Sequence, residues 1–121
     1  MHELSIANSI INTVITETDS VKLKDIKTIG LKIGSLSGVL AESLEFGFNA
    51  IKKGTPLEKA RLEIEHVPVS GRCESCFHKF IVEDFVFSCP KCHSVSVKIE
   101  SGQELDITYL EMEEEVEIFN E

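Results

Sequence analysis

Two stretches of the chain carry apolar residues at three- and four-residue steps, the spacing of one face of an α-helix. The first predicts a helix over residues 3–18, and the second a helix that begins near Leu40 and ends before Gly54. Glycine is common just after a helix, and Pro56 cannot continue one. The apolar positions are Leu4, Ala7, Ile10, Ile11, Val14 and Ile15 in the first stretch, and Leu40, Leu44, Phe48 and Ile51 in the second.

Four other stretches alternate apolar and polar residues with a period of two, which predicts β-strands. The first begins near Ile26, and the second covers residues 60–65 and is closed by Pro68. The third covers residues 95–99, and the fourth follows Ser101-Gly102 and includes residues 105–109. Helices and strands that alternate in this way indicate a protein of the α/β class.

All four cysteines lie in one pattern, in which Cys73 and Cys76 form one pair and Cys89 and Cys92 form a second. Each pair places two thiolates on one tight turn, and two such turns about a dozen residues apart have the spacing of a four-cysteine zinc site. Two disulfides are the alternative, but the N-terminal stretch lacks the basic segment of a secretory signal. The pattern therefore favours structural Zn²⁺, and a closed four-thiolate shell argues against zinc catalysis.

The cysteine segment interrupts the α/β pattern, which suggests how the domains are organised. The strand at 105–109 is expected to return to the main sheet, since the first two strands and the helices would lack a partner without it. We therefore expect an α/β domain built from residues 1–69 and 101–121, with a small mixed sheet of about three strands and two helices. Residues 70–100 are then an inserted zinc-ribbon β domain. Four aromatic residues are expected to fill the ribbon's small core: Phe77, Phe80, Phe85 and Phe87.

The chain has 121 residues and a formal net charge of −9, which a nucleic-acid backbone would repel. We therefore expect no nucleic-acid partner. No stretch approaches the roughly 18 apolar residues of a membrane span, so we expect a cytoplasmic protein without a membrane partner. The acidic run from Glu111 to Glu117 is expected to be a solvated tail.

A second candidate metal site lies at the start of the chain, Met1-His2-Glu3. The α-amine of Met1, the amide nitrogen of His2 and its imidazole Nδ1 can close two fused chelate rings on one ion. Amide nitrogens together with imidazole favour square-planar Ni²⁺ or Cu²⁺ over Zn²⁺. Taken alone the motif is weak, because a histidine at the second position arises easily by chance and Glu3 suits any helix N-terminus.

Five motifs in the same order resemble the HypA/HybF family of hydrogenase-maturation nickel chaperones, and the likeness covers essentially the whole chain. The motifs are residues 1–5 (MHELS), 34–39 (GSLSGV), 42–46 (ESLEF), the two cysteine pairs, and 101–105 (SGQEL). The resemblance implies a metallochaperone rather than an enzyme. It implies Ni²⁺ held by Met1, His2 and Glu3, the last through backbone or side chain, and zinc held by the four cysteines.

The same resemblance implies delivery of nickel to [NiFe] hydrogenase, with the GTPase HypB and the hydrogenase large subunit as partners. Urease accessory proteins are further partners that it allows. The alternative function is a zinc-ribbon interaction adaptor or transcription-associated module with no role in nickel. A zinc-dependent hydrolase is disfavoured, since neither a Ser/His/Asp nor a paired-carboxylate spacing stands out.

Two histidines stand beside the cysteine pairs. His78 lies two residues after Cys76, and His93 follows Cys92 directly. Either could replace a cysteine on the zinc, and their placement beside both pairs argues for that role. Strain between adjacent ligands argues against it and favours histidines that do not touch the metal.

Overall fold

The computed structural model describes residues 2–112 and 116–118. Two α-helices, a short 3₁₀ helix (Ser20–Asp25) and seven strands form within this part of the chain. The helices are α1 (His2–Glu17) and α2 (Ala41–Ile51). The strands are β1 (Ile26–Gly34), β2 (Arg61–Val67), β3 (Ser70–Cys73), β4 (Lys79–Ile81), β5 (Val97–Ser101), β6 (Leu105–Met112) and β7 (Val116–Ile118).

The strands form two sheets, one of four strands in the order β2-β1-β6-β7 and one of three in the order β4-β3-β5. The predicted α/β class with an inserted β-ribbon is thus confirmed. β6 lies beside β1, as expected for a strand that returns to the main sheet, and β7 adds a fourth strand to the three expected.

The chain divides into two compact units. The first, here called the helical unit, contains the chain up to Lys32, Val39–Glu65 and the chain from Asp106 onward. The second, the cysteine unit, contains Ile33–Gly38 and His66–Leu105.

The core of the helical unit forms where α1 packs against α2. Val14, Leu44 and Phe48 have no exposed surface. Burial of such side chains contributes about 1.5–3 kcal/mol each. Gly47 lets the helices approach, because a Cβ atom built there would lie 3.3 Å from Cδ1 of Leu4.

Polar side chains cross neighbouring strands of the helical unit's sheet. The ring of Tyr109 on β6 lies over Gly30 of β1, where a Cβ atom would overlap the ring. The Tyr109 hydroxyl donates to Oε1 of Glu63 on β2 at 2.6 Å, so one side chain connects three strands. Next along the sheet, the buried hydroxyl of Thr28 donates to Oε1 of Glu111 at 3.0 Å.

Glu111 therefore belongs to a strand, and the expectation that it opens a solvated tail is wrong. The sequence did not indicate this role, because a hydrogen bond to one buried threonine leaves no periodic pattern of apolar residues. Glu113, Glu114 and Glu115 of the acidic run lie outside the described residues.

In the cysteine unit, β3 pairs antiparallel with both β4 and β5. Glu100 on β5 joins the three strands through Arg72 Nε at 3.0 Å and Lys79 Nζ at 3.5 Å. Its pKa is lowered by the hydrogen bond from Arg72 and by the positive charge of both partners. β3 ends at Cys73, so this sheet holds the first metal-ligand candidate in place.

Candidate metal centre

The first cysteine pair forms a tight turn in which backbone amides point at sulfur. Sγ of Cys73 accepts hydrogen bonds from the N–H of Ser75 at 3.3 Å and of Cys76 at 3.4 Å. The turn is closed by Cys73 N–H donating to the carbonyl of His78 at 2.9 Å, and by Phe77 N–H donating to the carbonyl of Cys73 at 2.9 Å. Such N–H donors favour the thiolate form that binds metal.

The second pair repeats this arrangement residue for residue. Sγ of Cys89 accepts from the N–H of Lys91 at 3.3 Å and of Cys92 at 3.4 Å. Cys89 N–H donates to the carbonyl of Ser94 at 2.9 Å, and His93 N–H donates to the carbonyl of Cys89 at 2.8 Å. The two turns are equivalent half-sites, which we call the first and second knuckles.

The two knuckles bring all four sulfurs to one point, within 4.8 Å of one another. The Sγ atoms of Cys73 and Cys92 lie 3.5 Å apart, and those of Cys76 and Cys89 lie 3.6 Å apart. Four sulfurs at about 2.3 Å from a tetrahedral zinc would be separated by about 3.8 Å. A disulfide would require about 2.05 Å, and all four cysteines are unbridged. The cluster therefore fits a metal ion such as zinc.

The pKa values of three cysteines in the cluster are shifted, and not all in the same direction. The N–H groups of Cys76 and Ser75, with the neighbouring thiols, lower the pKa of Cys73 to about 6. At Cys89, burial acts to raise the pKa, but hydrogen bonds from the N–H groups of Cys92 and Lys91 outweigh it, so the pKa is lowered. The Ser94 N–H acts to lower the pKa of Cys92, but the thiol of Cys73 and burial outweigh it and raise the value to about 12. The buried cysteine that opens each knuckle is thus the one prepared to be a thiolate.

The two histidines beside the knuckles occupy different structural positions. The His78 carbonyl accepts from the Cys73 N–H as the Ser94 carbonyl accepts from the Cys89 N–H, whereas His93 is equivalent to Phe77. Phe77 and His93 both adopt φ of 65°, a left-handed conformation that is unusual without glycine. His78 stacks on the ring of Phe80 with centroids 6.1 Å apart. In the sequence each cysteine pair has one histidine beside it, but in the structure the two histidines occupy positions of the knuckles that are not equivalent. Their role as alternative zinc ligands stays a prediction.

Three of the four aromatics expected to fill the ribbon are exposed, so that expectation is wrong for Phe77, Phe85 and Phe87. Phe77 is 68% and Phe85 71% exposed, Phe87 is 37% exposed, and Phe80 is half-buried. The physical reason is that metal coordination can supply the folding energy that a larger domain takes from an apolar core. Aromatic content in a short metal-binding segment is therefore a poor guide to burial.

At the other candidate site, Met1 lies outside the described residues, whereas His2 and Glu3 begin α1. Nε2 of His2 lies 3.1 Å from Oε2 of Glu3. The same carboxylate oxygen accepts from the N–H of Leu40 at 3.3 Å, and this contact is the main cause of the lowered pKa of Glu3. Glu3 is therefore an ionised bridge between His2 and the start of α2.

The role of Leu40 was missed by sequence reasoning. Leu40 is the N-cap residue of α2 and has no capping side chain of its own, so a carboxylate 37 residues away serves the exposed amide. A helix start without Ser, Thr, Asp or Asn was the available signal, although it does not say which residue supplies the cap.

None of the helices in the described part of the chain is long and apolar enough to cross a membrane.

Comparisons with known proteins agree with this geometry. Residues 1–112 match the family described as "Hydrogenase/urease nickel incorporation, metallochaperone, hypA". The hydrogenase maturation factor HypA of Chlorobaculum parvum is 42% identical over 113 residues, which is 93% of this chain and 100% of the relative. The factor of the same name from Geotalea daltonii is 42% identical over 107 residues, 88% of this chain and 94% of the relative.

Solved structures show the same relationship. The solution structure of the Ni metallochaperone HypA from Helicobacter pylori has a TM-score of 0.62 at 26% identity and covers 91% of this chain and 96% of its own. A second solution structure of a HypA protein has a TM-score of 0.69 at 27% identity, with coverage of 95% and 98%. The matches span nearly the full length of both chains. This chain therefore belongs to the HypA family of metallochaperones for nickel incorporation into hydrogenase and urease.

Proposed function

We propose that this protein carries Ni²⁺ on its first three residues and delivers it for the maturation of [NiFe] hydrogenase, while the four-cysteine cluster holds a structural zinc. The nickel ligands are the α-amine of Met1, the amide nitrogen and imidazole Nδ1 of His2, and Glu3. In this proposal the protein carries out no reaction of its own and works in the cytoplasm. Its partners are HypB, the hydrogenase large subunit and, where urease is matured, urease accessory proteins.

The contact between His2 and Glu3 is the observation that carries the proposal. In a neutral imidazole, a carboxylate that accepts from Nε2 favours the tautomer whose lone pair is on Nδ1. Nδ1 is also the atom that a chelate through the His2 amide requires, because it closes the smaller ring. A carboxylate beside a histidine that binds metal commonly fixes the ring in this way.

The same contact supports a backbone rather than a side-chain role for Glu3. Its Oε2 is engaged by His2 Nε2 and by the Leu40 N–H, on the side of the imidazole away from Nδ1. The first amides of a helix are not part of its internal hydrogen-bond ladder, so the Glu3 nitrogen can bind metal without breaking α1. Two deprotonated amide nitrogens would cancel the charge of Ni²⁺ at the positive end of the helix.

Nickel calorimetry on the zinc-loaded protein tests the proposal. His2→Ala, or one residue added before Met1, should each abolish tight Ni²⁺ binding, because either change destroys the chelate rings. Zinc content should stay unchanged, since the cysteine cluster is intact. His66→Ala is the matched control, because it removes an exposed imidazole elsewhere in the chain and should bind Ni²⁺ like the wild type.

The alternative of an adaptor without nickel predicts a different result. In that case His2→Ala would bind Ni²⁺ as tightly as the wild type, and the proposed site would be refuted. The exposed Phe77 and Phe85 could then serve the adaptor's protein contacts.

A further inference from the structure

The first turn of α1 and one side of α2, from Glu42 to Ile51, leave an open recess between them within the helical unit. Its volume is about 750 Å³, and its apolar lining includes Leu4, Phe46, Gly47 and Ile51. The recess exists partly because Gly47 has no side chain. A larger residue there would occupy space beside Leu4, whose Cδ1 lies 3.3 Å from the position of a Cβ atom.

Two apolar side chains of this recess are exposed. Phe46 is 78% exposed on α2, and Leu4 is 42% exposed on α1. A neighbouring recess of about 490 Å³ shares Leu4 and Ile51 and extends the surface along α1 past Ser5 and Asn8. The two recesses together form an elongated surface, which we call the helix groove. A partner that docked in the helix groove would cover the exposed side chains of Leu4 and Phe46.

The charged residues that line the helix groove, among those described, are all acidic. Glu3 and Glu42 line it, and Glu45 is exposed next to Phe46. Among the described residues that line either recess there is no lysine or arginine. Lys52, at the end of α2, instead donates to the carbonyl of Ala60 at 2.7 Å. The complementary ligand is therefore apolar in the middle and basic at its edges.

We propose that the helix groove docks an amphipathic helix with lysine or arginine flanking its apolar face, supplied by the protein that exchanges nickel with this chain. A third helix laid against two packed helices is a common mode of recognition. A second copy of this chain would bring a further net charge of −9 to an acidic surface, so self-association is disfavoured.

The position of the groove explains the link to nickel, and this part rests on the proposed function. Glu3 lines the groove and also contacts His2. A docked helix would therefore lie beside the residues that hold the metal, where a partner's own ligands could reach it.

Fluorescence anisotropy with two synthetic helical peptides tests the docking. Both carry the same leucines at helical spacing, flanked by lysines in one and by glutamates in the other. The zinc-loaded, nickel-free full chain should bind the lysine peptide and not the glutamate peptide. Phe46→Ser and Glu42→Lys should each weaken binding about tenfold or more, the loss expected for an interface hot spot.

Matched controls separate the groove from general effects of charge and hydrophobicity. Phe85→Ser removes an equally exposed aromatic ring, and Glu58→Lys makes the same charge change outside the groove. Both controls should bind the lysine peptide within about twofold of wild type, and circular dichroism and thermal melting report that the helical unit of each variant is folded. The peptide assay uses nickel-free protein and the calorimetry measures nickel alone, so failure of the nickel proposal and failure of the groove are distinguishable.

Three results would overturn the inference. The first is absence of binding by the lysine peptide, and the second is equal binding of both peptides. The third is a dimer in sedimentation that Phe46→Ser dissociates, which would make the occupant a second copy of this chain.

Discussion

At the scale of single residues, Tyr109 offers a direct measurement, because it is the one tyrosine in a chain without tryptophan. Its hydrogen bond to Glu63, followed by burial and the charges of Glu63 and Glu111, raises its pKa to about 12. Absorbance of the phenolate near 295 nm should therefore titrate well above the ordinary value of about 10.

The sign of the linked stability follows from the same shift. Because the folded pKa lies above the unfolded one, the contact stabilises the protein fully below about pH 10, and its contribution is lost as the pH rises towards 12. Glu63→Gln should lower the measured pKa, since the amide carries no negative charge. Glu58→Gln, a change at an exposed site that is not among the groups shifting Tyr109, should leave it unchanged. A wild-type titration near pH 10 would contradict the contact.

Individual contacts also show which features of the site could be predicted from the sequence and which could not. The four cysteines were predicted to form one cluster, because two ligands on each tight turn produce a spacing that can be recognised in the sequence. The bridge from Glu3 to Leu40 joins positions 37 residues apart and leaves none. Exposure of Phe77 and Phe85 was also missed, since composition does not report whether metal or side chains fill a small fold.

At the scale of elements, each knuckle contains one residue in the left-handed conformation, Phe77 in the first and His93 in the second. This conformation leads to a prediction about His93. Glycine adopts this conformation without strain, whereas a β-branched residue there is strongly disfavoured. His93→Gly should therefore keep zinc affinity and thermal stability at or above the wild-type level, and His93→Val should lower both. The same pair of changes at Phe77 should behave alike. If His93 were a zinc ligand, glycine and valine would reduce zinc affinity equally, which a competition assay with a chromogenic chelator would reveal.

Elements differ in how far the sequence could predict them. The two helices and β2 were foreseen because each buries one face and therefore shows a period. β1, β5 and β6 were also foreseen from alternating residues, although β1 is buried on both faces. β3 and β4 have four and three residues, respectively, too few for a period to be recognised. The 3₁₀ helix Ser20–Asp25 was missed for the same reason, since only Leu23 of it is buried.

At the scale of the whole molecule, the division into two compact units predicts that zinc removal unfolds the cysteine unit and leaves the helical unit folded. The cysteine unit buries few large side chains, so its stability should depend on the metal, which supplies about 10–16 kcal/mol in zinc-finger peptides. Cys89→Ser should therefore abolish amide protection in the turns and strands from His66 to Leu105. The core of the helical unit, at Val14, Leu44 and Phe48, should stay protected in hydrogen exchange.

Ser88→Ala serves as the control, because it alters the neighbouring residue without removing a sulfur. An even loss of protection over both units in Cys89→Ser would show that they fold as one cooperative body.

The repetition of the knuckle also bears on how such a chain can diverge. One knuckle closes with phenylalanine and the other with histidine in the same left-handed conformation, so the fold constrains the backbone at this position and leaves the side chain open. Mutation can therefore sample different chemistry right beside the metal while the turn stays intact. Unbranched side chains of different chemistry could therefore be exchanged at these two positions, beside the cysteines, without loss of the turn.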